Sequence, residues 1–164
     1  MKQGFSFDTR PWLADDVPFL WEMLYQSIHV RDGSEPPSRE ILREPDIAHY
    51  LVHFGMRPGD DAQIALGEHD DRIGAAFCRR LDADDPGYGF VSEDIPEIGM
   101  AVVATYRGRG IGRRLLGDML DRHHALSLSV DADNVRAMRL YAELGFVAVG
   151  AVGTSTTMLH IRGT

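Results

Sequence analysis

Between Ile95 and His124 the sequence reads as a strand, a turn and a helix in immediate succession, and no other stretch limits the fold so tightly. Ile95 to Val103 has strand character, Arg107-Gly108-Arg109-Gly110-Ile111-Gly112 is the turn, and Ile111, Leu115, Met119 and Leu120 continue at helical spacing. Glycines let a backbone come close to a ligand. The N–H groups at a helix start point outward there, and the helix dipole favours negative charge. The turn is therefore expected to hold a phosphate. Neither of two familiar variants fits: no Lys-Ser or Lys-Thr follows the last glycine, and no glycine triplet keeps the G-x-G-x-x-G spacing. The competing reading is a tight turn that needs small residues for packing alone. Arginines interleaved with the glycines count against it.

Charge sharpens the expectation. The chain carries a formal net charge of −8, which argues against a general nucleic-acid binder. From Leu81 to Tyr106 there are carboxylates (Asp82, Asp84, Asp85, Glu93, Asp94, Glu97) and no Lys or Arg, whereas Arg107, Arg109, Arg113, Arg114 and Arg122 follow at once. A local anion site inside an acidic protein is one reading. Solvated acidic and basic faces are the other.

The length of 164 residues suits one domain with a sizeable core, so residues 1–164 are read as a single domain. Apolar runs are strand-sized, so no membrane span is expected. The start of the chain lacks a basic-then-apolar leader, which makes the cytoplasm the expected compartment. Cys78, the only cysteine, cannot form an internal disulfide and reads as an inert buried thiol.

Along the chain, Phe5, Phe7 and Thr9 alternate in a first strand ending near Pro11. A helix with Val17, Leu20, Leu24 and Ile28 on one face follows, with Asp15 or Asp16 as its cap and Pro18 in its first turn. Ser38 and Asp46 are expected to cap two short helices, the second ending at Gly55 and turning Ile47, Tyr50, Leu51 and Phe54 to a core. Ala62 to Glu68 and Ile73 to Leu81 form a hairpin, and an acidic loop runs from Asp82 to Asp94. After the central helix, Leu126 to Val130 is a strand, and Asp133 or Asn134 caps a helix carrying Val135, Met138, Tyr141 and Leu144. Gly145 stops that helix, and Phe146 to Val149 with Thr156 to Ile161 closes a second hairpin. The class is mixed α/β (α+β) with largely antiparallel strands.

His49 and His53 have the spacing of metal ligands on a helix, but His49-Tyr50-Leu51-Val52-His53 lacks the glutamate of H-E-x-x-H, so they read as surface or core histidines and no metal is expected. His123 and His124 are explained as partners of a helix C-terminus.

Two motifs together resemble the GNAT N-acetyltransferase superfamily. Arg107-x-x-Gly110-x-Gly112 matches its Arg/Gln-x-x-Gly-x-Gly/Ala signature, placed after a strand and before a helix. Glu97-Ile98-Gly99-Met100-Ala101-Val102 looks like the family's fourth strand, and the segment from Asn134 to Phe146 looks like its second motif, Asn-x-x-A-x-x-L-Y-x-x-x-G-F. Ala104 departs from the proline many members carry before the turn.

The resemblance implies a twisted, mostly antiparallel sheet of about six to seven strands with about four helices, splayed between the fourth and fifth strands. It implies acetyl-CoA as acyl donor, with unpaired backbone groups around Val102 and Val103 holding the pantetheine amides and one N–H polarising the thioester. Arg107, Gly108, Arg109, Gly110, Ile111 and Gly112 would hold the pyrophosphate, with contacts from Arg113 and Asn134. Tyr141 would be the general acid for the departing thiolate, and Glu97 the base, its affinity for a proton raised by neighbouring Glu93 and Asp94. A solvated strand-end glutamate is the plainer alternative for Glu97. Glu97, Gly99 and Ala101 share a strand face, so a lane of small residues is expected to run from the carboxylate towards the thioester.

The expected reaction is direct attack by a primary amine of a small molecule. Acetylation of a protein or peptide N-terminus or lysine, or acyl-CoA sensing without catalysis, shares the same cofactor residues. No nucleic-acid or membrane partner is expected. Pairing with a second copy of the chain stays open.

Overall fold

The computed structural model describes residues 4–163. Its strands are β1 (Asp8–Pro11), β2 (Asp61–Leu66), β3 (Arg72–Arg79), β4 (Glu97–Val102), β5 (Ala125–Asp131), β6 (Val147–Val152) and β7 (Ser155–Ile161). The helices are α1 (Val17–Ser27), α2 (Pro45–Ala48), α3 (Ile111–Arg122) and α4 (Val135–Glu143). All seven strands join one sheet in the order β1-β2-β3-β4-β5-β7-β6. Neighbours are antiparallel throughout, save for β4 with β5. The expected mixed, mostly antiparallel sheet with four helices is what the chain forms.

Strand alternation sorts the core into two layers. On one face Ile98 of β4 and Leu126, Leu128 and Val130 of β5 pack with Leu115, Leu116 and Met119 of α3. On the other, Ala62, Ile64, Ala75, Phe77 and Ala101 pack with Leu20, Met23 and Leu24 of α1 and with Leu51. Odd residues of β4, Glu97 included, therefore face the α1 side, and even ones face α3.

β4 and β5 meet at one register pair, Glu97 opposite Ser127, where the Ser127 N–H donates to the Pro96 carbonyl at 3.0 Å. Past that point β5 stays paired with β7 along its whole length, while β4 stays paired with β3. The two parallel strands part, and the sheet opens into a V at the end where both point to loops.

Several local expectations shift. β1 begins at Asp8, and Phe5 and Phe7 pack on the α3 layer instead, with Phe5 against the Tyr106 ring at 5.7 Å. Asp16 stands at the N-cap position of α1, but its side chain makes no bond to that helix. Its buried carboxylate takes Arg10 at 2.7 Å, Arg72 at 2.7 Å and the Leu13 N–H at 2.7 Å, tying β1 and β3 to the start of α1. Ser38 does cap, accepting from Glu40 N–H at 3.3 Å, but over a 3-10 turn at Arg39–Arg43. Glu44 and not Asp46 occupies the cap of α2, since Pro45 fits the first helical position. α2 is one turn long, so His49, Tyr50 and Leu51 lie just past it. Arg79 fixes that segment: its guanidinium pairs with Asp60 at 2.9 Å and donates to the carbonyls of His49 at 3.0 Å and Val52 at 2.7 Å. No helix among the described residues is long and apolar enough to cross a membrane.

Candidate active site

The turn after β4 is built around two left-handed residues. Gly108 has φ +77° and Gly110 φ +84°, a region closed to most side chains, and a Cβ at either would meet nothing within 4 Å. Glycine is needed here for backbone shape, and the space beside it stands open. Gly112 differs: a Cβ there would lie 3.0 Å from Met100 Cε, so this glycine lets α3 close onto β4. Ile111 is buried in the core, leaving only its backbone for a ligand.

Gly110 caps α3 without a side-chain bond, and the first helical bond runs from Arg114 N–H to Gly110 C=O at 3.1 Å. The N–H groups of the first turn are thus unclaimed by the helix itself. Arg113 is ion-paired with Glu143, and Arg114 with Asp118 at 3.2 Å. Arg109 lies over the Phe5 ring at 4.5 Å. Arg107 and Arg109 have no carboxylate partner among the described residues, so their charge is uncompensated at the turn.

Backbone groups facing the V are fewer than expected. Val103 N–H donates to Ile73 C=O at 2.8 Å and its carbonyl accepts from Tyr106 N–H at 2.8 Å, so Val103 is fully engaged. Antiparallel pairing sends alternate residues outward, which leaves the backbone of Met100 and Val102 directed at β5. The Val102 carbonyl receives Arg107 Nε at 3.1 Å.

Glu97 is buried, not solvated. Its Oε1 accepts from Tyr50 Oη at 2.7 Å and from Gly89 N–H at 2.8 Å, while Oε2 is buried without a partner. Burial raises its pKa above the usual carboxylate range, and the two hydrogen bonds pull the other way. The expected cause, Glu93 and Asp94, is thereby corrected: desolvation does the work. The acidic loop folds over this carboxylate. A Cβ on Gly87 would fall 1.9 Å from Glu97 Oε2, and one on Gly89 would fall 2.4 Å from the Leu128 backbone. Both glycines are required for the loop to lie that close. The lane expected along Glu97, Gly99 and Ala101 does share one face, but Phe77 fills the space over Gly99, with ring atoms 2.8 Å from where a Cβ would stand.

The loop is anchored to the segment around α2. Asp85 Oδ1 meets His49 Nδ1 at 2.8 Å, Tyr88 N–H donates to Tyr50 Oη at 2.9 Å, and Tyr88 Oη donates to Asp46. A cavity of ≈ 340 Å³ is lined by Asp46, Pro86, Gly87, Tyr88, Phe90 and Val152, and Gly87 is the residue that also packs on Glu97. Sequence reasoning missed Tyr50 as a polar partner because it shows only as an apolar-stripe residue. Its bond to Glu97 spans 47 positions, beyond any local pattern.

Tyr141 projects from α4 on the opposite face. It is half-buried against Phe146, rings 5.8 Å apart, and burial pushes its hydroxyl up to about 12. It stays protonated at neutral pH. Asn134 caps α4, its side-chain oxygen accepting from Ala137 N–H at 3.3 Å. Away from the V, His123 is the C-cap residue of α3 and its ring also pairs with Asp61 at 2.7 Å, and burial raises the Cys78 thiol well above its usual value. Among the described residues no three His, Cys, Asp or Glu side chains are grouped to hold a metal.

Residues 21–146 match the model of the acetyltransferase (GNAT) family. An uncharacterized protein of Mycobacterium leprae is 49% identical over 155 residues, covering 87% of this chain and 38% of the relative. The N-alpha-acetyltransferase RimI of Mycobacterium tuberculosis is 47% identical over 53 residues, covering 31% of this chain and 34% of that protein. The chain thus spans little more than a third of these relatives' own length. Among solved structures, the Salmonella typhimurium protein yncA with its cofactor acetyl-CoA superimposes with a TM-score of 0.66 at 16% identity, over 95% of this chain and 94% of that one.

Proposed function

The chain belongs to the acetyltransferase (GNAT) family, and from that premise we propose that it moves the acetyl group of acetyl-CoA to a primary amine of a small molecule by direct attack. One observation carries the reading: the V between β4 and β5 has a turn of uncompensated positive charge at its mouth, a buried carboxylate on one face and a protonated phenol on the other. The N–H groups of Gly108 to Arg113, with Arg107 and Arg109, suit the pyrophosphate. The backbone of Met100 and Val102 suits the pantetheine amides, and an N–H there polarises the thioester. For Val103 what remains is its side chain, and Asn134 keeps its amide donors.

An alkylammonium must lose a proton before it attacks, and Glu97 is the base this site offers. Tyr141 returns a proton to the thiolate. Net, alkylammonium and acetyl-CoA give the amide, the free thiol and one proton. The cavity beside Gly87 supports a small acceptor by its size, and Asp46 at its wall supports a cationic one. The similarity to an N-alpha-acetyltransferase favours peptide N-termini as the second reading. Competing small amines against N-terminal peptides, with acetylated products weighed by mass spectrometry, decides between them. Small cationic amines should win by about tenfold or more in kcat/KM. Preference for peptides would reverse the assignment.

A further inference from the structure

Among the described residues, four buried side-chain polar atoms lack a hydrogen-bond partner: His49 Nε2, Glu97 Oε2, Ser127 Oγ and His160 Nδ1. The first three belong to residues linked through Glu97 and Tyr50. Ser127 is the register partner of Glu97 on the same sheet face, Tyr50 bonds Glu97, and the His49 ring stands edge-on to the Tyr50 ring at 4.6 Å. Native interiors rarely leave such atoms unpaired, and a catalytic role is one of the few reasons they do.

The chemistry of the three atoms says which. Asp85 at 2.8 Å fixes the proton of a neutral His49 on Nδ1, so Nε2 is an acceptor. Ionised Glu97 Oε2 is an acceptor too. Neither can satisfy the other until one more proton is present. We propose that His49, backed by Asp85, is a proton-relay residue that shares with Glu97 the proton taken from the acceptor amine.

In the relay the acceptor's N–H bond breaks as an O–H bond forms on Glu97. That bond breaks in turn as the proton binds His49 Nε2, directly or across one water with Ser127 Oγ beside it, and the carboxylate regains its charge. The imidazolium then lies against Asp85, whose side chain is 56% exposed, and releases its Nδ1 proton to solvent there; solvent exchange of the remaining proton from Nε2 to Nδ1 restores the resting tautomer. Burial makes such an exit necessary: Glu97 is 5% exposed and Gly87 lies over it. The groups against His49 are Asp85 from the loop and Tyr50 from its own turn, with Glu97 of β4 near enough to feel its charge. Its carbonyl is held by Arg79, itself neutralised by Asp60. Tyr88 is committed to Asp46.

The inference rests on reading Glu97 as the base, and the test separates the two. With the best amine found, His49→Gln should lower kcat by about tenfold or more, leave KM for acetyl-CoA within about twofold, and remove one ionisation from the acidic limb of the kcat/KM profile. Imidazole added to His49→Ala should restore turnover in proportion to its unprotonated form, which repacking alone does not require. His49→Gln at the wild-type rate beside a slow Glu97→Gln overturns the relay and leaves the base. Wild-type rates in both overturn the base as well. Should the His49 variants not fold, nitrogen NMR of histidine-labelled wild-type protein decides. The relay requires an Nδ1–H tautomer at His49 and a titration that moves in Glu97→Gln; an Nε2–H tautomer, or a titration indifferent to Glu97, contradicts it.

Discussion

A carboxylate bonded through one oxygen and unpaired at the other is easier to protonate than a solvated one, and this gives Glu97 a signature in stability as well as in rate. Its folded pKa lies above the unfolded value, so between the two the native state binds more protons and stability falls as pH rises through that window. Glu97→Gln removes the buried charge while keeping an oxygen for Tyr50 and Gly89. Its melting temperature should equal or exceed wild type at neutral pH, with a shallower decline from acid to neutral, while turnover drops and partly recovers at high pH. Asp16 has the opposite sign. Arg10, Arg72 and the Leu13 N–H outweigh its burial and hold its pKa well below the usual carboxylate range, so its contribution is present above about pH 4 and is lost as pH falls through the folded value. Asp16→Asn should destabilise by about 1–3 kcal/mol in denaturant titration, since it removes the charge from a buried hydrogen-bond acceptor while Arg10 and Arg72 keep contact with water. For Tyr141→Phe the ring that packs on Phe146 is kept, so acetyl-CoA affinity by calorimetry should stay near wild type while kcat falls about ten- to a thousandfold. Undiminished turnover would reduce Tyr141 to packing.

At the scale of elements, the turn between β4 and α3 separates backbone shape from ligand contact. A β-branched residue at Gly110 adds about 1–2 kcal/mol of left-handed strain, so Gly110→Val confounds stability with binding. Asparagine tolerates φ near +84°, and Gly110→Asn should fold normally yet lose acetyl-CoA affinity by calorimetry, because the new side chain occupies the open space beside the turn. Normal affinity would move the pyrophosphate elsewhere. This element was also the most legible in the sequence. Its strand, turn and helix follow one another within thirty residues, so local rules of periodicity, capping and glycine spacing sufficed. α4 was readable for the same reason, with Asn134 as cap and Gly145 at φ +98° as stop. What stayed hidden is non-local. No window contains both Tyr50 and Glu97, or both His49 and Asp85, and the loop that brings them together reads in sequence only as acidic and glycine-bearing. The role of Asp16 was missed for a like reason: an aspartate before a helix looks like a cap, and Arg72 lies 56 positions away.

Over the whole molecule, the sheet holds two chemistries apart and joins them at one seam. The α3 layer carries Tyr141 and the cation turn; the α1 layer carries Glu97, Tyr50 and the acidic loop; in the proposed reading both faces reach a common ligand at the opening between β4 and β5. The net charge of −8 repels a polyanionic cofactor at long range; if Arg107 and Arg109 hold it locally, as proposed, acetyl-CoA affinity should weaken with added salt less than the arginine contacts alone would give. The central claim is that this seam performs amine acetylation, and thiol release from acetyl-CoA by the purified chain across a panel of primary amines tests it most directly. Release should depend on the amine, match acetylated product one for one, and fall in both Tyr141→Phe and Glu97→Gln. Tight acetyl-CoA binding with no amine-dependent release by any member of the panel would contradict the account and leave an acyl-CoA sensor in its place.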